Sequence, residues 1–97
     1  MIFEFRPEAL DEIRGAFDFY QNERDGLGDR FSDALAAALD DIQKMPDAWS
    51  PISSRGRKRD LRRFPYGVIY TVLGDTILVV AVAHLSRDPD YWKSRLP

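Results

Sequence analysis

Val68-Ile69-Tyr70-Thr71-Val72-Leu73-Gly74-Asp75-Thr76-Ile77-Leu78-Val79-Val80-Ala81-Val82-Ala83-His84 is the stretch from which the architecture can be read. Val68–Leu73 is β-branched and aromatic, which suits a pleated surface. Gly74-Asp75 is a two-residue turn signal of the glycine-first kind. Thr76–His84 is almost wholly apolar, as expected of a strand covered on much of both faces. The pair predicts a β-hairpin. Because that apolar run lacks alternation, the face of each residue in the second strand is left open.

Upstream the period changes. Leu10, Ile13, Phe17 and Tyr20 recur at spacings of three and four, one face of a helix that Pro7 can open. Glu8, Asp11 and Glu12 crowd its first turns, where carboxylates oppose the positive end of the macrodipole. Asp25-Gly26-Leu27-Gly28 breaks the pattern. A second stripe follows, Leu27, Phe31, Leu35, Ala38, Ile42 and Met45, ending at Pro46. Its alanines permit close helix packing, and the short link predicts an antiparallel helical hairpin. Ile2–Arg6 alternates, with Phe3 and Phe5 on one face, and predicts a short first strand whose neighbour is open. Asp47–Gly56 reads as a loop, Arg57–Phe64 as a basic strand, Pro65-Tyr66-Gly67 as a turn, and Tyr91–Leu96 as a terminal helical turn. The expected fold is α+β, in the order β-α-α-β-β-β-(α). A helical hairpin packs on a mostly antiparallel sheet of three or four strands. The expected core is Phe3, Phe5, Leu10, Ile13, Phe17, Tyr20, Phe31, Leu35, Ile42, Leu61, Ile69, Ile77, Val79 and Ala81.

Ninety-seven residues suffice for one domain, 1–97. A chain this short buries only about two thirds of its unfolded surface, so a partner can matter to its stability. Without cysteine there is no disulfide scaffold or thiolate metal cluster, which fits a cytoplasmic protein. Met1–Arg6 is charged too early for a secretory leader. The longest apolar run, Ile77–Ala83, is far below the roughly 20 residues that span a bilayer. The net charge of −2 conceals an asymmetry. Residues 1–50 hold five basic against twelve acidic residues, and residues 51–97 hold nine against four, giving balances of −7 and +5. Most of the positive charge lies in Arg55–Arg63. Such a run is either a solvated edge strand or an anion-binding surface.

Motifs for metal, nucleotide or other cofactor are missing; Gly26-Leu27-Gly28 lacks both a third glycine and a preceding strand. Ser86, two residues from His84, makes a weak candidate for a catalytic triad. His84 could serve as general acid or base, with arginines on a phosphate. Equally, its ring could be held by a backbone group, and Tyr91 and Trp92 could anchor the C-terminal segment.

Arg62-Arg63-Phe64-Pro65-Tyr66-Gly67-Val68-Ile69-Tyr70, then Ala81-Val82-Ala83-His84 and Arg87-Asp88-Pro89-Asp90-Tyr91-Trp92, resembles the RelE/ParE superfamily of toxins from toxin–antitoxin modules. Ala9–Ile13, Phe19-Tyr20 and Leu27–Phe31 match in the same order, so the resemblance covers nearly the whole chain. It implies a small bacterial toxin in a hetero-oligomer with a cognate antitoxin, whose disordered C-terminal segment folds over the helical hairpin and adjacent sheet. Ala16, Phe19 and Leu39, off the hairpin's own stripe, are the candidates for that contact. Two activities divide the superfamily. RelE-like members cut messenger RNA on the ribosome; here His84 would be the acid/base, Arg63 and Arg87 would hold the scissile phosphate, and Tyr91 would orient the nucleotide. ParE-like members bind and inhibit DNA gyrase. The acidic first half and Asp88-Pro89-Asp90 oppose docking to ribosomal RNA, so the ParE-like reading is preferred. Arg57, Lys58, Arg59, Arg62 and Arg63 are then the expected target- or phosphate-binding set. A non-toxic binding module is the third reading.

Overall fold

The computed structural model describes all 97 residues. Pro7 opens the first helix, its missing N–H being one that no helix would have bonded. The elements run β1 (Ile2–Phe5), α1 (Pro7–Glu23), α2 (Leu27–Lys44), β2 (Ser50–Pro51), β3 (Arg57–Asp60), β4 (Tyr66–Leu73) and β5 (Thr76–His84), then a single 3-10 turn at Lys93–Arg95. The five strands form one mixed sheet in the order β1-β5-β4-β3-β2. The architecture is α+β with the helical hairpin on the sheet, as expected. It has five strands rather than three or four, because the short β2 emerges from the loop and pairs with β3. The basic strand is also shorter than expected, ending at Asp60.

β1 lies parallel to β5, Ile2 opposite Thr76 and Phe5 opposite Val79. All other pairings are antiparallel. The hairpin turns at Gly74, whose φ of +57° suits the residue. Along β5 the register slips: Ile69 faces Ala81 but Tyr70 faces Val79, leaving Val80 without an opposite number. That bulge explains the missing alternation. Ile77, Val79 and Val82 pack towards the helices, while Leu78, Val80, Ala81 and Ala83 pack on the other side. Two consecutive residues therefore face the same way, as a bulge permits. The far side is a second, smaller core, closed by Trp92 with Leu96 and Ile52 against it. Ile69 and Ala81 belong to this core, not to the one beneath the helices.

On α2 the expected stripe is buried at Phe31, Leu35, Ala38 and Ile42, although Met45 is exposed. On α1 the stripe is rotated. Leu10 is 47% exposed, whereas Ala9 and Ala16 are buried, with Ile13 and Tyr20 packed beside them. At 100° per residue, this turns the face by about 50° from the one centred on Leu10, Ile13, Phe17 and Tyr20. The reason is distance: α1 lies against β5, and small side chains let it come close. At the start of α2, Gly28 is buried where a Cβ would sit 3.0 Å from the Phe17 carbonyl oxygen. Its N–H donates to Gln21 Oε1 at 3.1 Å, so the tight helical turn depends on a missing side chain.

Candidate functional site

The basic segment divides into two groups. Arg57 donates to the Trp49 carbonyl at 2.8 Å. Arg59 pairs with Asp41 on α2 at 3.0 Å, and its guanidinium lies 4.0 Å from the centre of the Trp49 ring. Lys58 lies 3.6 Å from Asp60. These three are part-buried and already partnered; Arg57 and Arg59 tie β3 to the loop and to α2. Arg62 and Arg63, on the β3–β4 turn, are exposed. Arg63 has φ +67°, the one non-glycine residue in the left-handed region.

At the end of β5 the chain assembles a different cluster. Glu12 projects from α1 to the edge of β5 that β1 leaves uncovered. One carboxylate oxygen accepts from the Val82 N–H at 3.1 Å and from Arg95 Nη1 at 2.9 Å. The other accepts from the Tyr91 hydroxyl at 2.6 Å. Arg95 also donates to the Val80 carbonyl at 3.1 Å, which is the bulged residue, and Arg6 Nε donates to the Arg95 carbonyl at 3.0 Å. An acid on the helix and a base on the tail thus satisfy backbone groups that no strand reaches, as buried polar groups require. Arg87 lies over the Tyr91 ring at 4.0 Å.

His84, Arg87 and Tyr91 do share a cleft of about 220 Å³, together with Glu12 and Tyr66. Arg63 is not among them; it lines a separate cleft with Arg30 and Arg62. The two clefts occupy one end of the sheet, since Tyr66 pairs with His84 and the Leu85 N–H donates to the Pro65 carbonyl. His84 Nδ1 accepts from the Ser86 N–H at 3.0 Å and lies 2.7 Å from the Ser86 hydroxyl. No carboxylate is bonded to the opposite ring nitrogen, so the third member of a triad is missing. Burial, then the hydrogen bond to Glu12 and its negative charge, push the Tyr91 phenol well above the usual tyrosine range. It is a committed donor, not a proton shuttle near neutral pH.

That shift carries a pH signature. A phenol that holds its proton more tightly folded than unfolded stabilises the fold fully below its unfolded pKa of about 10, and the gain is lost as pH rises through the folded value. Tyr20, Tyr66 and Tyr70 are shifted upward too, mainly by burial. Stability should therefore fall above about pH 10. Tyr91→Phe, less stable at pH 8, should fall less steeply. Urea midpoints from pH 8 to pH 11 test this, and parallel curves for the two proteins would refute it.

Of the residues expected to meet a partner, Phe19 is 56% exposed, its ring in an edge-on arrangement with that of Tyr20 at 5.2 Å. Leu39 is part-buried against the main core. Ala16 is 4% exposed and beneath α1, so its side chain offers a partner almost nothing, contrary to the expectation for it. Glu12 and Arg95 were not singled out from the sequence. The signal was spacing: Ala9, Glu12 and Ala16 follow i, i+3, i+7, which puts Glu12 beside the face that the alanines bury.

The family model described as ParE toxin of type II toxin-antitoxin system, parDE, matches residues 3–89. The matched stretch includes His84 and Arg87 and stops short of Tyr91 and Arg95. Among solved structures, one described as the chromosomal ParDE TA system from P. aeruginosa is similar with a TM-score of 0.65. The alignment covers 87% of this chain and 95% of that one at 14% identity, a likeness of fold. No curated protein matches the sequence.

Proposed function

The chain belongs to the ParE toxin family of type II toxin–antitoxin systems, and from that premise we propose that it acts by binding and inhibiting DNA gyrase. In this reading residues 1–97 form one toxin domain that works in the cytoplasm and rests in a hetero-oligomer with its cognate antitoxin. The antitoxin's C-terminal segment covers Phe19 and reaches towards Leu39. None of the helices is long and apolar enough to cross a membrane.

The observation that carries an inhibitor rather than a nuclease is the state of the cleft at the end of β5. Tyr91 is bound to Glu12, Arg95 neutralises that carboxylate from the far side, and Glu12 itself lines the space a phosphate would enter. Arg63 belongs to another cleft. The favoured target contact is therefore the exposed pair Arg62 and Arg63, with Arg57, Lys58 and Arg59 supporting the strand behind it. The test is supercoiling of relaxed plasmid by purified gyrase. Supercoiling should stop on addition of the protein and resume on addition of the antitoxin; unchanged supercoiling would overturn the reading.

One observation favours the ribonuclease reading, namely that His84 and Arg87 share a cleft. It separates cleanly. His84→Ala should leave growth inhibition within about twofold of wild type, whereas loss of a general acid or base typically costs 10²–10⁴-fold in rate. Ribosome-dependent cutting of mRNA by the wild type, abolished in His84→Ala along with toxicity, would establish the nuclease instead.

A further inference from the structure

We propose that the cleft between the α1–α2 turn and the β3–β4 turn is a docking site for an acidic protein segment carrying an apolar anchor. The cleft holds about 720 Å³. Arg30 from α2 and Arg62 and Arg63 from the turn edge it, and all three are exposed. None of them is paired with a carboxylate of the chain. This sets them apart from Arg57, Lys58 and Arg59, whose heads have partners. Asp33 is the sole carboxylate in the lining, so the rim is positive on a molecule of net charge −2. The inner surface is apolar, made by Leu27, Phe64 and the ring of Tyr20. The complement of such a site is anionic at its edges and apolar at its centre, and guanidinium groups match carboxylates two bonds at a time.

The turn is held in shape. Arg63 adopts φ +67°, a region that long side chains avoid. It is kept there by Phe64, whose ring meets Tyr20 at 4.8 Å and Phe31 at 5.6 Å. The Leu61 N–H donates across the turn to the Tyr66 carbonyl at 2.9 Å. Backbone conformations of this kind persist where the surroundings enforce them, and they cluster at binding sites. A glycine would relieve the strain, yet an arginine stands there. A continuous phosphate backbone is the poorer occupant, because it would run on past the rim over a helical hairpin that carries Glu23, Asp25, Asp29 and Asp33 close to Arg30 in sequence. A short acidic segment concentrates its charge on the rim alone. That this segment belongs to the toxin's target rests on the function proposed above.

The ¹⁵N-labelled chain is titrated with acetyl-Asp-Glu-Leu-Phe-Glu-Asp-amide, with its counterpart in which lysine replaces every acid, and with hexauridylate. The acidic peptide alone should shift the amides of Leu27–Ala34 and Leu61–Tyr66. Its affinity should drop about tenfold in Arg62→Glu and in Arg63→Gly. The glycine variant relieves the backbone and should melt no lower than wild type, so its loss of binding is not loss of fold. Absent or scattered shifts, an equal response to the lysine peptide, or tighter binding of hexauridylate would overturn the proposal. A second arm repeats the supercoiling assay with Arg62→Glu. Peptide binding without any inhibition by the wild type leaves the cleft standing and removes gyrase as its target. Equal inhibition by wild type and variant removes the cleft from target binding. Antitoxin affinity falling by the same factor as inhibition would overturn the target as occupant in favour of the antitoxin.

Discussion

Glu12→Ala is expected to destabilise the protein by about 3 kcal/mol, the lower end of what removing one partner from a buried ion pair costs. For a chain of this size each kcal/mol moves the melting temperature by roughly 4–8 °C, so a drop of about 12–24 °C should be seen. The argument rests on what is left behind. The side chains of Glu12 and Arg95 are only 17% and 15% exposed. Without the carboxylate, the Tyr91 hydroxyl and the Val82 N–H lose their acceptor, and the Arg95 charge loses its counter-ion. The first places to respond should be the tail and the end of β5. Hydrogen exchange at Val82 should rise by orders of magnitude, while amides of α2 keep their ranking. Glu12→Gln keeps an acceptor oxygen and should lie between. A melting temperature for Glu12→Ala within about 2 °C of wild type, well under the shift for 1 kcal/mol, would show that the network contributes little.

Phe31→Ala is the second large effect, about 3–5 kcal/mol for an aromatic core truncation. Phe31 is fully buried and sits at the centre of an aromatic group, 5.6 Å from Tyr20, 5.6 Å from Phe64 and 5.4 Å from Tyr66. Ring pairs in edge and offset geometry add to the area buried. Urea unfolding should show the midpoint falling with the slope unchanged. Because Phe64 leans on Phe31, the turn bearing Arg62 and Arg63 should loosen as well, reducing affinity for any ligand held there. A conservative Phe31→Leu should keep more than half of the lost stability. If Phe31→Ala unfolds at the wild-type urea concentration, the aromatic group is not the keystone of the main core.

On α2 the large apolar residues keep a helical period and one alanine continues it, so the stripe could be read directly: Phe31, Leu35, Ala38 and Ile42 are buried. α1 misled because Leu10 and Phe17 outweigh Ala9 and Ala16 in any count of hydrophobicity, whereas close approach to β5 selects for small volume. Size and polarity pulled in opposite directions there, and packing prevailed. The bulge at Val80 was hidden because Val79, Val80, Ala81 and Val82 are alike in chemistry, so a shift of register leaves no polar mark. The parallel pairing of β1 with β5 is a fact about two ends of the chain, beyond local pattern. For the basic strand, composition was visible but occupancy was not: Asp41 and Trp49, which claim Arg59, lie on other elements. Glu12 was visible as a charge near a helix start and was assigned to the dipole there. Its partners, Tyr91 and Arg95, lie about eighty residues further on.

The distance between Glu12 and Arg95, 83 positions, has a meaning in time. A ribosome makes β1 and the acidic helical hairpin first, and neither has a sheet to lie on until β5 exists. Arg6 waits for Val79, and Glu12 waits for the tail. Closing so long a loop is cheap in equilibrium terms, since each doubling of length costs only about 0.6 kcal/mol. The consequence is kinetic, because non-local pairings form late and slowly. The pairing of Tyr66 with His84, which joins the turn bearing Arg62 and Arg63 to the end of β5, comes into being only after β5 has been made. A product cut short before Arg95 would lack the contacts that tie the tail to Glu12 and to Val80, so this corner of the fold closes only after Arg95 has been made.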